Sequence, residues 1–227
     1  MLTEGIWNRT GTDEMSRSAY VRCIALFTLV VGSVVAGGAV VSYSWPMTWL
    51  LLLASFVASI ICIFVFTGSS NPFVSGLGVT GMSLALGLMI GPLVATYTTV
   101  VVMQAVVTTA AVMVVMSALG ILFPKIFEGW GPYLAAGLTL LIVAQFAQII
   151  FLAMGFAQAG HMPILTWFGV AVFVGFVAYD WTRALQLPHT LDNAIDASGG
   201  LVLDAVNLFI RFLEIYGGSS SSRRSSR

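Results

Sequence analysis

The chain has 227 residues, 59% of them hydrophobic and only 8% charged, against roughly 25% charged in an ordinary soluble domain. That balance points to a membrane protein, and nine basic against nine acidic side chains, a formal net charge of zero, argues against a basic nucleic-acid-binding surface. Between residues 23 and 179 the only charged side chains are Lys125 and Glu128, whereas a helix on the surface of a soluble protein keeps a polar face along its length.

The first 18 residues are polar and carry Arg9 and Arg17. They contain no short apolar core followed by a small-residue cleavage site, so a removable signal peptide is not expected there. Seven apolar segments follow, each near the length of about 20 residues that a spanning helix needs: 19–41, 46–66, 72–93, 96–122, 132–156, 164–185 and 195–216. The breaks between them, "SYSWP", "TGSSNP", "FPKIFEGWGP", "QAGHMP" and "LPHTLDN", concentrate turn-forming residues. Runs of this length satisfy their backbone hydrogen bonds as helices, which makes the expected fold an all-α integral membrane bundle of seven transmembrane helices over residues 19–216. Residues 217–227 form a Ser/Arg-rich tail expected to be flexible. The loops leave no room for a separate soluble domain.

Gly32 with Ala36, and Gly87 with Gly91, repeat small residues at i, i+4, a spacing that lets helices approach closely without naming a partner. Pro92 is placed to kink the third segment or end it. Cys23 and Cys62 lie in apolar segments outside any metal-ligand spacing. Gln104, Gln145 and Gln148 are candidates for hydrogen bonds between helices, and His161 and His189 are expected in solvated turns. Arg9, Arg17 and Arg22 place the N-terminus in the cytoplasm by the positive-inside rule. Seven full crossings would then put Arg223, Arg224 and Arg227 outside, so either the rule fails at that end or the last segment enters without crossing.

The last segment, within "GGLVLDAVNLFIRFLEIYGG", is unusual in its charges. At about 100° per residue, Asp196, Asp204, Asn207, Arg211 and Glu214 fall within one arc of about 80° on a helix that is otherwise apolar. A central Asp or Arg costs roughly 2.5–3.5 kcal/mol to insert, so the stripe should face other polar groups or a water-filled cavity. Arg211 and Glu214, three residues apart, are expected to form an internal ion pair. Asp192 and Asp196 are candidates for an acidic vestibule that concentrates cations, with Asn207 further along the stripe. In the plainer alternative they belong to the start of the last helix, with Asp192 or Asn193 capping it.

Asp180, in "VAYDWTRA" near the end of the sixth segment, is the other acid within an apolar span. Helices joined by a short loop are antiparallel neighbours, and about 24 residues and one turn would bring Asp180 and Asp204 to a similar depth. Two carboxylates in a poorly solvated site do not both ionise cheaply, so the pair is expected to share a proton.

"YD" at Tyr179 and Asp180, the interval to Asp204, and "LDAVNLFIRFLEIYG" together resemble the Bax inhibitor-1, or transmembrane BAX inhibitor motif, family, and the helix layout matches over nearly the whole chain. The resemblance is to bacterial-type members, which implies a multi-pass protein of the bacterial inner membrane. It also implies six helices around a central seventh, and a pH-sensitive calcium leak gated by an aspartate pair that maps onto Asp180 and Asp204. Their carboxylate oxygens suit transient Ca²⁺ ligation. The chain departs from members with basic residues at the end of the second helix, since it reads "FTGSSNP" there. Arg183 or Arg211 would have to supply the missing charge.

Two other readings use the same residues. Intramembrane aspartyl proteases also place Tyr-Asp and Asp on consecutive helices, but they carry Gly-x-Gly-Asp and a following Pro-Ala-Leu where this chain has "LVLD" and no later proline. A non-conducting regulator acting through partner proteins is compatible with every residue. The chain shows no Gly-rich phosphate loop, haem pair or zinc signature, so no cofactor and no enzyme activity are expected. The expected partners are membrane lipid, calcium ions and protons.

Overall fold

A computed structural model describes residues 7–10, 13–155 and 162–225, with side chains described to residue 218. It is helical, in chain order α1 (Arg17–Ser42), α2 (Trp49–Gly68), α3 (Pro72–Val94), α4 (Thr99–Leu122), α5 (Pro124–Phe127), α6 (Gly131–Ala153), α7 (Pro163–Ala184) and α8 (Leu191–Ser225). Among the described residues six helices, α1, α2, α3, α4, α6 and α7, are long and apolar enough to cross a membrane. Large apolar side chains such as Leu29, Trp49, Phe64, Tyr133 and Ile164 are exposed on them, which fits lipid rather than water as the surrounding medium. The protein is therefore a multi-pass helical membrane protein.

Local chemistry sets the helix starts. Ser16 Oγ accepts from Ala19 N at 3.3 Å, Thr48 Oγ1 from Leu51 N at 3.2 Å, and Asn71 Oδ1 from Phe73 N at 3.0 Å with Pro72 in the first turn. Each satisfies a backbone donor that has no partner inside the helix. The Thr48 cap explains why α2 starts at Trp49, later than the expected residue 46. Pro92 lies inside α3, two residues before its end. The 4–5 connection contains the single turn α5, followed by Gly129 at φ +87°, a left-handed conformation that glycine adopts without a Cβ penalty. His161 and residue 156, the expected end of the fifth segment, lie outside the described residues.

The chain forms two compact units, Met1–Thr98 with Arg183–Leu203, and Thr99–Thr182 with Asp204–Arg227. In the first, α1 and α2 both pack on α3. Glycine makes this possible at specific points. A Cβ on Gly87 would collide with the Val35 carbonyl, one on Gly91 with Ser42 Oγ and the Ala39 carbonyl, and one on Gly78 would come within 2.9 Å of Phe66. Gly32, by contrast, faces open space, so of the two small-residue repeats only the α3 one is at a close helix contact.

In the second unit α7 packs closely on α4 and α6. A Cβ on Gly120 would meet the Ala178 carbonyl at 2.5 Å, and one on Gly175 would meet Leu134 at 2.7 Å. Trp181 Nε1 donates to Ser117 Oγ at 2.7 Å, so a buried indole donor is matched across α4 and α7.

The last helix differs most from expectation. It begins at Leu191 and runs 35 residues to Ser225, beyond both ends of the expected segment 195–216 and through most of the tail. Asp192 and Asn193 do not cap it. Thr190 Oγ1 accepts from Asn193 N at 3.4 Å and the Thr190 carbonyl from Ala194 N at 3.1 Å, and Asp192 turns to other partners. From residue 191 to residue 218 no residue is exposed, although α8 is not among the six helices apolar enough to count as spans.

Candidate functional site

Asp180 sits near the C-terminal end of α7 and Asp204 in the middle of α8, both in the second unit. Asp204 is buried, 5% exposed. Its Oδ2 atom has no hydrogen-bond partner among the described residues, and the charge of Asp180 acts on it directly. Asp180 itself is half-buried and has polar or electrostatic partners of its own. Next to it, Tyr179 lies against Gly131 at the start of α6, where any side chain would strike the phenol oxygen. Asn207, half-buried, follows one turn after Asp204.

Further along α8, Arg211 and Glu214 form an ion pair at 3.2 Å. Two other helices complete it. Thr166 Oγ1 on α7 donates to Glu214 Oε2 at 2.9 Å, and Gln145 on α6, with its amide turned to face the guanidinium, accepts from Arg211. Gly169 on α7 makes room for the guanidinium, since a Cβ there would lie 2.7 Å from Arg211 Nε. Tyr216 shares a hydrogen bond of 2.8 Å with Thr108 on α4. The polar stripe on the second half of α8 is thus answered by side chains from α4, α6 and α7, which offsets the cost of holding charge in an apolar setting.

The first half of α8 belongs to the other unit, and its acids have a partner that pattern reading did not identify. Arg9, from the polar N-terminal segment, pairs with Asp192 at 3.3 Å and with Asp196, and donates to the carbonyls of Thr67 at 2.7 Å and Phe66 at 3.1 Å at the end of α2. Ser75 Oγ on α3 donates to Asp192 Oδ1 at 2.7 Å. Asn193 Nδ2 donates to the Arg9 carbonyl at 3.2 Å, and Asp192 N to the Trp7 carbonyl at 3.1 Å. Asp192 and Asp196 are therefore bound to a guanidinium from the same chain.

The end of α2, where "FTGSSNP" carries no basic residue, thus meets a guanidinium from 57 positions earlier in the chain. Arg183 is exposed and makes no ion pair among the described residues, and Arg211 is engaged with Glu214. The signal for Arg9 was weak, because an arginine in a polar terminus ordinarily informs only orientation.

His189 also meets the N-terminal segment. It stacks on Tyr20 with ring centroids 4.6 Å apart, lies 3.9 Å from Glu14, and its carbonyl accepts from Met15 N at 2.9 Å.

The family model described as inhibitor of apoptosis-promoting Bax1 matches residues 17–221. A vaccinia virus protein named Golgi anti-apoptotic protein is 31% identical over 167 residues, covering 73% of this chain and 68% of the viral one. Mouse protein lifeguard 4 is 28% identical over 132 residues, 58% of this chain and 53% of its own. The Lactococcus lactis protein YrjE is 26% identical over 149 residues, 63% and 62% of the two chains. With a family match that runs from the start of α1 into the last turns of α8, this chain belongs to the Bax inhibitor-1 family of membrane proteins.

Proposed function

We propose that the chain is a proton-regulated calcium leak in the membrane, with Asp180 on α7 and Asp204 on α8 sharing a proton in the closed state. The observation that carries this reading is Asp204, buried, with one carboxylate oxygen unpartnered and in the field of a second carboxylate. Elsewhere on α8, Asp192 and Asp196 meet Arg9, and Arg211 meets Glu214. A lone acid left in such surroundings is costly and is retained for function more often than for packing.

One shared proton lets the two carboxylates hold α7 and α8 together. Its loss leaves two like charges in a poorly solvated site, and their repulsion separates the helices. The freed oxygens are hard ligands for a passing Ca²⁺. In this account α8 crosses the membrane as the inner, seventh helix, consistent with its lack of exposed residues from 191 to 218. The N-terminus lies in the cytoplasm, and the host membrane is the bacterial inner membrane.

The viral relative's name favours a second reading, a non-conducting regulator that acts through partner proteins. Purified chain in dye-loaded liposomes separates the two. Calcium entry above that of empty liposomes is expected for the leak, and its absence at every pH tested would leave the regulator.

A further inference from the structure

The carboxylates at the start of α8 have a ligand in place. Asp192 and Asp196, together with the helix-end carbonyls of Phe66 and Thr67, converge on the Arg9 guanidinium. Every acceptor is an oxygen, and the two carbonyls are at the C-terminal end of α2, where the helix dipole adds negative partial charge. One guanidinium meets two carboxylates. Two further oxygens beside it are unanswered. Asp196 Oδ1 has no hydrogen-bond partner among the described residues, nor does the hydroxyl of Tyr20, a residue with no exposed surface that lies in the field of Asp196. A guanidinium alone does not saturate this pocket.

We propose that this oxygen cluster, at the end of α2 and the start of α8, is a binding site for a hard divalent cation such as Ca²⁺, and that Arg9 is a tethered plug that competes for it. Oxygen ligands from carboxylates, carbonyls and hydroxyls are what such a cation takes, usually six to eight in number with water completing the shell. Asp192 is oriented for the role by Ser75, and Asp196 and Tyr20 keep spare oxygens. The plug sits on an irregular stretch of chain. Trp7 to Thr10 form no helix or strand and connect to α8 through the backbone contacts at Trp7 and Arg9, while the Arg9 side chain remains 32% exposed. Entry of the cation releases the segment carrying Trp7 and Arg9. The site is distinct from the Asp180 and Asp204 pair, and the proposal does not depend on flux.

The test is calcium binding by the full-length chain in detergent, by calorimetric titration with CaCl₂, for wild type, Arg9→Gln and the double variant Arg9→Gln/Asp196→Asn. Because a competing tethered ligand lowers apparent affinity in proportion to its occupancy, Arg9→Gln is expected to bind calcium at least about tenfold more tightly. The double variant should lose that gain. Equal affinity in wild type and Arg9→Gln would overturn the proposal, as would a gain that survives in the double variant. Amide exchange on the wild type gives a readout that needs no folded mutant. Calcium should raise exchange at residues 7–10, and unchanged exchange at calcium concentrations that saturate binding would also overturn it.

Discussion

Asp204 and Arg211 lie two turns apart on one helix, both buried, in opposite chemical situations. Arg211 has Glu214, Gln145 and a glycine-lined space on α7, whereas Asp204 keeps an oxygen without a partner. Arg211 is therefore a structural charge and Asp204 a functional candidate. Glu214→Gln should leave the guanidinium held only by neutral groups. Because Glu214 is partly exposed, the expected loss is about 2 kcal/mol, below that of a fully buried pair, read as a lower unfolding temperature in detergent. Unchanged stability would show that the pair is solvated. The i,i+3 spacing made Arg211 and Glu214 legible in the sequence, and the narrow stripe made Asp204 stand out. Thr166 and Arg9 were not legible, because their carboxylate partners lie 48 and 183 or more positions away and no local periodicity encodes such distances.

At the scale of elements, the apolar runs and turn residues located the six candidate spans among the described residues, with boundaries moved by a few residues where caps such as Thr48 decide. Small-residue repeats were less informative. Gly32 and Gly87 look alike as sequence, yet one faces open space and the other lies against the α1 backbone. Gly87→Ala should thus force α1 and α3 apart and cost about 1–3 kcal/mol, the usual penalty of overpacking. Gly32→Ala should be neutral or gain up to about 1 kcal/mol from helix propensity. Thermal unfolding of the two variants side by side checks the pair, and equal effects would contradict the close packing of α1 on α3. The seventh segment was legible as a helix but its full length was not, because its charges and glycines dilute the apolar signal and Thr190 starts it four residues ahead of the expected position.

For the whole molecule, membrane insertion and family were legible, since composition settles the first and the combination of "YD" with "LDAVNLF" led to the second. The fate of the C-terminus was not, because the positive-inside rule and the segment count disagree. A 35-residue helix is about 52 Å long at 1.5 Å per residue, more than enough for a hydrocarbon core of about 30 Å. If α8 crosses completely, as the proposed function requires, the C-terminus lies opposite the N-terminus. Reporter fusions at the two ends should report opposite sides, and the same side for both would mean that α8 enters and returns. The central claim is the shared proton, and the most direct measurement is the pH profile of calcium flux into liposomes, from mildly acidic to mildly alkaline, for wild type, Asp180→Asn and Asp204→Asn. Flux should rise with pH in the wild type as the shared proton is lost, and each substitution should flatten or displace that rise. An unchanged profile in both variants would contradict the account.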